Sequence, residues 1–202
     1  MGKSIFNPSH QQKDVPAKIV AGLERISEAF KVLLWEKAKA LGLSPIQIQL
    51  LIFVAYHKNE LCNVSHLAQE FNVTKPTISD AVRILAQKKL IVKNFSTSDS
   101  RGYTIGLSAA GERAVSETEG FANPLKTQLG TLAQKDLENL FTSLGHLIYQ
   151  LYQGGILSVQ RTCYGCRFYS HTKKKDYCNL LHMELKKNDI RLDCPEFESI
   201  DG

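Results

Sequence analysis

Residues 63–90, NVSHLAQEFNVTKPTISDAVRILAQKKL, constrain the fold more than any other stretch, because they punctuate two short amphipathic helices and a sharp turn between them. Asn63 or Ser65 can cap a first helix whose apolar side is Val64, Leu67, Ala68 and Phe71, and small Ala68 lets a second helix cross closely. Asn72 tolerates the left-handed conformation that such a turn requires. Thr74 is then an N-cap, and Pro76 falls in the first turn, where a missing N–H costs little. The second helix buries Ile78, Val82 and Leu85 and turns Lys75, Thr77, Ser79, Asp80, Arg83 and Gln87 outward. A solvated helix in an ordinary bundle would expose similar residues, but short hydroxyls and an Arg on one helix also suit phosphates and base edges in a major groove.

The continuation separates these two readings. Residues 90–96 (LIVKNFS) and 103–108 (YTIGLS) are rich in β-branched and aromatic residues and are divided by a turn-forming run, TSDSRG. A helix-turn-helix followed by such a hairpin is a winged helix, assigned to residues 44–108. Asp99, two residues before Arg101, can hold the guanidinium extended from the wing tip toward a phosphate or a narrow minor groove. The local charge agrees with an anionic partner. Between residues 63 and 107, Lys75, Arg83, Lys88, Lys89, Lys93 and Arg101 face only Glu70, Asp80 and Asp99, in a chain whose formal charge is +5.

With LSPIQIQLL before the helix-turn-helix, LAQEFNVTKPTISDAVRILAQKKLI within it, DSR at the wing tip and LSAAGE after it, the chain resembles the multiple antibiotic resistance regulator (MarR) family of dimeric winged-helix regulators. The resemblance runs over most of the first ~150 residues. It implies a two-fold symmetric reader of double-stranded DNA, with the helix that begins near Lys75 in the major groove and Arg101 in the flanking minor groove. It also implies a crevice between dimer helices and the winged domain for a small effector; the aromatic residues placed to line it are Trp35, Phe53 and Tyr56, for which a place in the buried core is the favoured reading.

The flanking segments are helical. Residues 15–41 carry Ile19, Leu23, Ile26, Phe30, Leu33, Leu34 and Leu41 at helical spacing, and Gly42 with Ser44 and Pro45 ends that helix and starts another. After the wing, Ser108 caps a helix that includes Arg113 and Val115 and fades near Asn123 and Pro124, and a proline inside such a helix is expected to kink it. Residues 136–153 then place Leu137, Leu140, Phe141, Leu144, Leu147, Ile148 and Leu151 on one stripe. The compact reader has too little surface for all of these, so residues 1–43 and 109–155 are assigned to a C2 dimer interface that sets the two recognition helices about one DNA turn apart.

From residue 161 the composition changes. RTCYGCRFYSHTKKKDYCNLLHMELKKNDIRLDCPEFE holds four of the five cysteines, Cys163, Cys166, Cys178 and Cys194, in a module assigned to residues 161–198. Its apolar residues are too few to hold it unaided, so a staple is expected. Two disulfides suit an exported protein, not the cytoplasmic location expected of a DNA binder with no signal-like or spanning segment. Structural zinc fits four thiolates, two of them from CxxC, and is favoured as the commoner case. A 4Fe–4S cluster fits as the alternative, with aromatic shielding and a terminal Cys194-Pro195. His171 and His182 are possible substitutes, His182 at one helical turn after Cys178. Cys62 reads as a buried small hydrophobe or, less readily, a sensing thiol.

The sequence contains no nucleophile elbow, phosphate-cradling Gly loop or HExxH pair, so a non-enzymatic protein is expected. The leading function is a dimeric, sequence-specific transcriptional regulator modulated by a small ligand, metal or redox state. The alternative is a redox or electron-transfer protein with a working iron–sulfur cluster, in which the winged helix serves protein interaction.

Overall fold

A one-turn helix α1 (Pro8–Gln11) precedes the long helix α2 (Val15–Leu41), which starts where Asp14 accepts a hydrogen bond from the Ala17 N–H at 3.1 Å. It stops at Gly42, whose φ of 59° is the left-handed conformation that only a residue without a side chain adopts freely. Pro45 then opens α3 (Pro45–Tyr56), and Gln47 reaches back to accept the Ser44 N–H at 2.9 Å. The computed structural model describes residues 4–95, 102–172 and 175–200.

The helix-turn-helix follows as α4 (Val64–Glu70) and α5 (Lys75–Gln87). Of the two candidate caps it is Asn63 that accepts the His66 N–H, at 3.0 Å. Asn72 has φ 52°, and the Thr74 hydroxyl accepts the Thr77 N–H at 3.3 Å. The hairpin β1 (Ile91–Phe95) and β2 (Tyr103–Leu107) pairs antiparallel with Ile91 opposite Leu107 and Phe95 opposite Tyr103. It is pinned to the reader where the Ile105 N–H donates to the Cys62 carbonyl at 2.8 Å.

One core unites these pieces. Leu34 and Ala38 of α2, Ile48 and Leu51 of α3, Leu67 of α4, Ile78, Val82 and Leu85 of α5 and Ile105 of β2 are all buried. Each large side chain so buried contributes about 1.5–3 kcal/mol, so α5 is held by its inner face while its outer face stays in water. The architecture is a winged helix, mainly α with small antiparallel sheets.

Helix α6 (Ala109–Thr118) closes on the start of the wing, Ser108 capping it by accepting the Gly111 N–H at 3.1 Å. Gly111 is required by close approach: a β-carbon there would sit 2.0 Å from the Leu90 carbonyl oxygen. The expected kink at Pro124 is not what forms. α6 ends at Thr118, a 3-10 turn spans Glu119–Ala122, and a separate helix α7 (Asn123–Leu129) begins with Pro124 in its first turn. A proline needs no hydrogen-bond acceptor there, so it starts a helix at no cost rather than bending one.

Helix α8 (Gln134–Gln153) leads into the tail, whose sheet has the order β3 (Tyr169–His171), β4 (Asp176–Cys178), β5 (Met183–Leu185), antiparallel throughout. The tail docks on α8: Tyr164 stacks on His146 with ring centroids 4.2 Å apart, and a β-carbon at Gly145 would meet the Tyr164 ring at 3.0 Å. Among the described residues no single helix is long and apolar enough to cross a membrane.

Candidate nucleic-acid interface and cysteine module

Lys75, Thr77, Ser79, Asp80 and Arg83 are all exposed on α5, opposite its buried stripe. The Thr74 and Thr77 hydroxyls lie 2.9 Å apart, and Arg83 donates to Asp80 at 3.2 Å. An exposed pair of this kind is worth at most about 1 kcal/mol, so the guanidinium can exchange it for another anion. Asp99 and Arg101 lie outside the described residues. In the described part of the hairpin, Lys93 sits 4.5 Å above the Tyr103 ring and Phe95 is exposed at the end of β1.

The three aromatics assigned to an effector crevice are not gathered in this chain. Phe53 is buried in the core and stacks on His57 at 3.7 Å. Trp35 is exposed on α2. Tyr56 is also exposed, donates its hydroxyl to Glu119, and lines a cleft of about 470 Å³ that includes neither of the others. That cleft lies between the reader and the tail, with His57 and His66 on one wall and Arg161, Asp193 and Cys194 on the other.

Behind it is a clasp. Arg161 donates to both oxygens of Glu70 on α4, at 2.7 and 3.0 Å, and to Asp193 at 2.5 and 3.3 Å. Burial works against the Arg161 charge, but the hydrogen bonds and charges of Glu70 and Asp193 more than offset it and raise its pKa. Burial likewise opposes ionisation of Asp193, yet Arg161 and His57 hold its carboxyl below the usual range. His57 Nε2 lies 2.8 Å from Asp193, Lys58 pairs with Glu196 at 3.2 Å, and the Ser158 hydroxyl donates to the Asn72 side chain at 2.8 Å. The tail thus grips α4 and the turn that aims α5.

Cys163, Cys166, Cys178 and Cys194 line one small apolar pocket in the tail, all as free thiols. Burial pushes the Cys163 thiol up, partly offset by the Arg191 N–H that donates to its sulfur at 3.2 Å, with the other three cysteines adding to the rise. Neither histidine joins them. His171 is paired with Asp176 at 2.6 Å and lines a different pocket, beside Thr142 and His146 of α8, and His182 sits at φ 52° in the turn between β4 and β5. The helical spacing expected between Cys178 and His182 is absent because Cys178 ends a strand. Cys62 is 1% exposed inside the reader, its thiol pushed up to about 11 by burial and by Glu60. It is a core residue.

Arg161, Glu70, Asp193 and His57 escaped the sequence reading. Arg161 and Glu70 are 91 residues apart, and no periodicity links them. The one available signal was position, since Arg161 and Asp193 flank the first and last cysteines of the module.

Residues 41–102 match the model of the MarR family, less than half of the chain. No curated protein matches the sequence significantly. The fold is that of MepR from Staphylococcus aureus. In its complex with DNA, MepR is 24% identical with a TM-score of 0.58, covering 65% of this chain and 97% of its own. MepR in its DNA-binding conformation is 22% identical with a TM-score of 0.59, covering 66% and 98%. About a third of this chain therefore has no counterpart in them.

Proposed function

We propose that the protein is a homodimeric, sequence-specific DNA-binding transcriptional regulator of the MarR family. The observation that carries this reading is α5: buried through Ile78, Val82 and Leu85, it presents Lys75, Thr77, Ser79, Asp80 and Arg83 together on an exposed face beside a two-stranded wing. The match of residues 41–102 to the family model and the fold shared with a protein solved on DNA support it. In this reading α5 enters the major groove, and Asp99 positions Arg101 at the flanking minor groove.

A second copy of the chain is supported by α2. Val15, Ile19, Ile26 and Phe30 recur at intervals of four and seven and remain 62, 55, 47 and 42% exposed, an apolar stripe at helical spacing. Trp35, 58% exposed, continues the apolar surface of the same helix. The cleft beside Tyr56 has the size of a small-molecule site, and an effector bound there would touch both the reader and the clasp.

Binding of a selected duplex by fluorescence anisotropy tests the reading. Arg83→Ala and Arg101→Ala are each expected to lose about 1–3 kcal/mol of specific affinity with the circular dichroism spectrum unchanged. Wild-type affinity in both variants at matched salt would overturn it, and would favour the electron-transfer alternative, in which the winged helix contacts protein.

A further inference from the structure

The four-cysteine pocket discriminates between metal centres. A single zinc ion, with bonds of about 2.3 Å, draws its four sulfurs around one point and leaves no space inside the shell. Among the described residues, no three His, Cys, Asp or Glu side chains are grouped tightly enough to ligate one ion. All four thiols nevertheless line one apolar pocket, so they share a site while standing too far apart for a single ion. A four-iron cubane takes one thiolate at each outer iron corner, so its ligands stand farther apart than those of one ion, and it requires a dry wall and N–H donors to sulfur. Phe168, Leu180, Leu181 and Leu185 supply the wall. Arg191 supplies the donors, its backbone N–H to Cys163 at 3.2 Å and its guanidinium to Cys194 at 3.7 Å.

The same cysteines bracket the clasp. Cys163 follows Arg161 by two residues and Cys194 follows Asp193 directly. The two segments are joined by a parallel bridge, with Cys194 N–H donating to the Arg161 carbonyl at 3.1 Å and Cys163 N–H to the Arg191 carbonyl at 3.0 Å. Whatever ties Cys163 to Cys194 therefore ties together the two halves of the contact with Glu70 and His57. We propose that Cys163, Cys166, Cys178 and Cys194 ligate a 4Fe–4S cluster, and that its presence sets the DNA affinity of α5 by holding the Arg161–Asp193 pair against α4. The second half of this rests on the DNA-binding reading above. Each thiol gives up its proton on ligating iron, and the ligation supplies folding free energy to a module with little core of its own. Without the cluster the two segments can part, and the grip on Glu70 of α4 is released.

The test uses the full-length protein purified without oxygen, assayed for iron, sulfide and zinc and titrated with a selected duplex. Wild type is expected to be brown, with about four iron and four sulfide per chain. Cys178→Ser and chelator-treated wild type should lose the cluster and shift in DNA affinity by about tenfold or more, a coupling within the usual range. Arg161→Met and the milder Glu70→Gln should keep the cluster yet bind DNA as the cluster-free protein does. Stoichiometric zinc, or no iron, overturns the cluster. A cluster whose loss leaves DNA affinity within about twofold overturns the coupling. Failure of every form to bind DNA, with iron and sulfide present, removes the regulator reading while the cluster assignment stands.

Discussion

Replacing Arg161 by Met measures what the clasp is worth. The guanidinium side chain is 11% exposed and makes two bonds each to Glu70 and Asp193. Removing one partner of a fully buried ion pair costs about 3–5 kcal/mol, chiefly because the other charge is left uncompensated. Glu70, with 19% of its side chain exposed, regains only part of its hydration, and its remaining neighbour His66 is 3.7 Å away. Asp193 is 49% exposed and keeps His57, so its lost pair is closer to a surface contact of about 1 kcal/mol or less. The expected loss for Arg161→Met is about 2–4 kcal/mol. Glu70→Leu alone should also destabilise, by leaving the Arg161 charge half satisfied. The double variant should recover about 1–3 kcal/mol of the summed losses, the coupling typical of contacting residues. Urea unfolding followed by circular dichroism reads all four corners of the cycle. A midpoint for Arg161→Met equal to that of wild type, or strictly additive losses, would refute the reasoning.

Three further outcomes follow from named contacts. Gly111→Ala should lower stability by about 1–3 kcal/mol despite the better helix propensity of Ala, because the new methyl meets a backbone oxygen that cannot turn aside; a higher urea midpoint would contradict this. Burial lowers the pKa of His66, outweighing Glu70 and joined by Arg161 and His57, so the folded chain prefers the neutral ring. Its stabilising contribution is complete above the ordinary value of 6.5 and is lost as pH falls from there through the depressed value; wild type should therefore lose more midpoint than His66→Gln between pH 7.5 and 5.5, and parallel losses would refute it. Cys62, buried with a thiol pushed up to about 11, should resist alkylation at neutral pH until the reader unfolds, as peptide mapping would show.

The reader was legible because its boundaries are written in residues with one conformational use. Gly42 and Asn72 take the left-handed angles their positions demand, and Thr74 with Pro76 starts α5 where expected. The stripe of Ile78, Val82 and Leu85 then left a single outward face for the candidate site. Pro124 misled because the same residue that breaks a helix interior also starts a helix, and the sequence does not say which turn it occupies. The tail was harder. Its strands are three residues each, too short for alternation to show, so Cys178 and His182 read as helical neighbours. The clasp was invisible for another reason: it joins charges brought together by docking, and docking depends on surfaces that no local pattern records. The open stripe on α2 shows the reverse case, where periodicity was plain and one chain leaves it half exposed.

The central claim is that α5 and the wing read DNA as part of a two-fold dimer. Selection of a random duplex library by the full-length protein, followed by anisotropy titration of the selected duplex from about 50 to 200 mM salt, tests it most directly. The account predicts a pseudo-palindrome with half-site centres about 34–36 Å apart and a steep fall in affinity with salt. A selected pool with no shared sequence, or an affinity indifferent to salt, would contradict it.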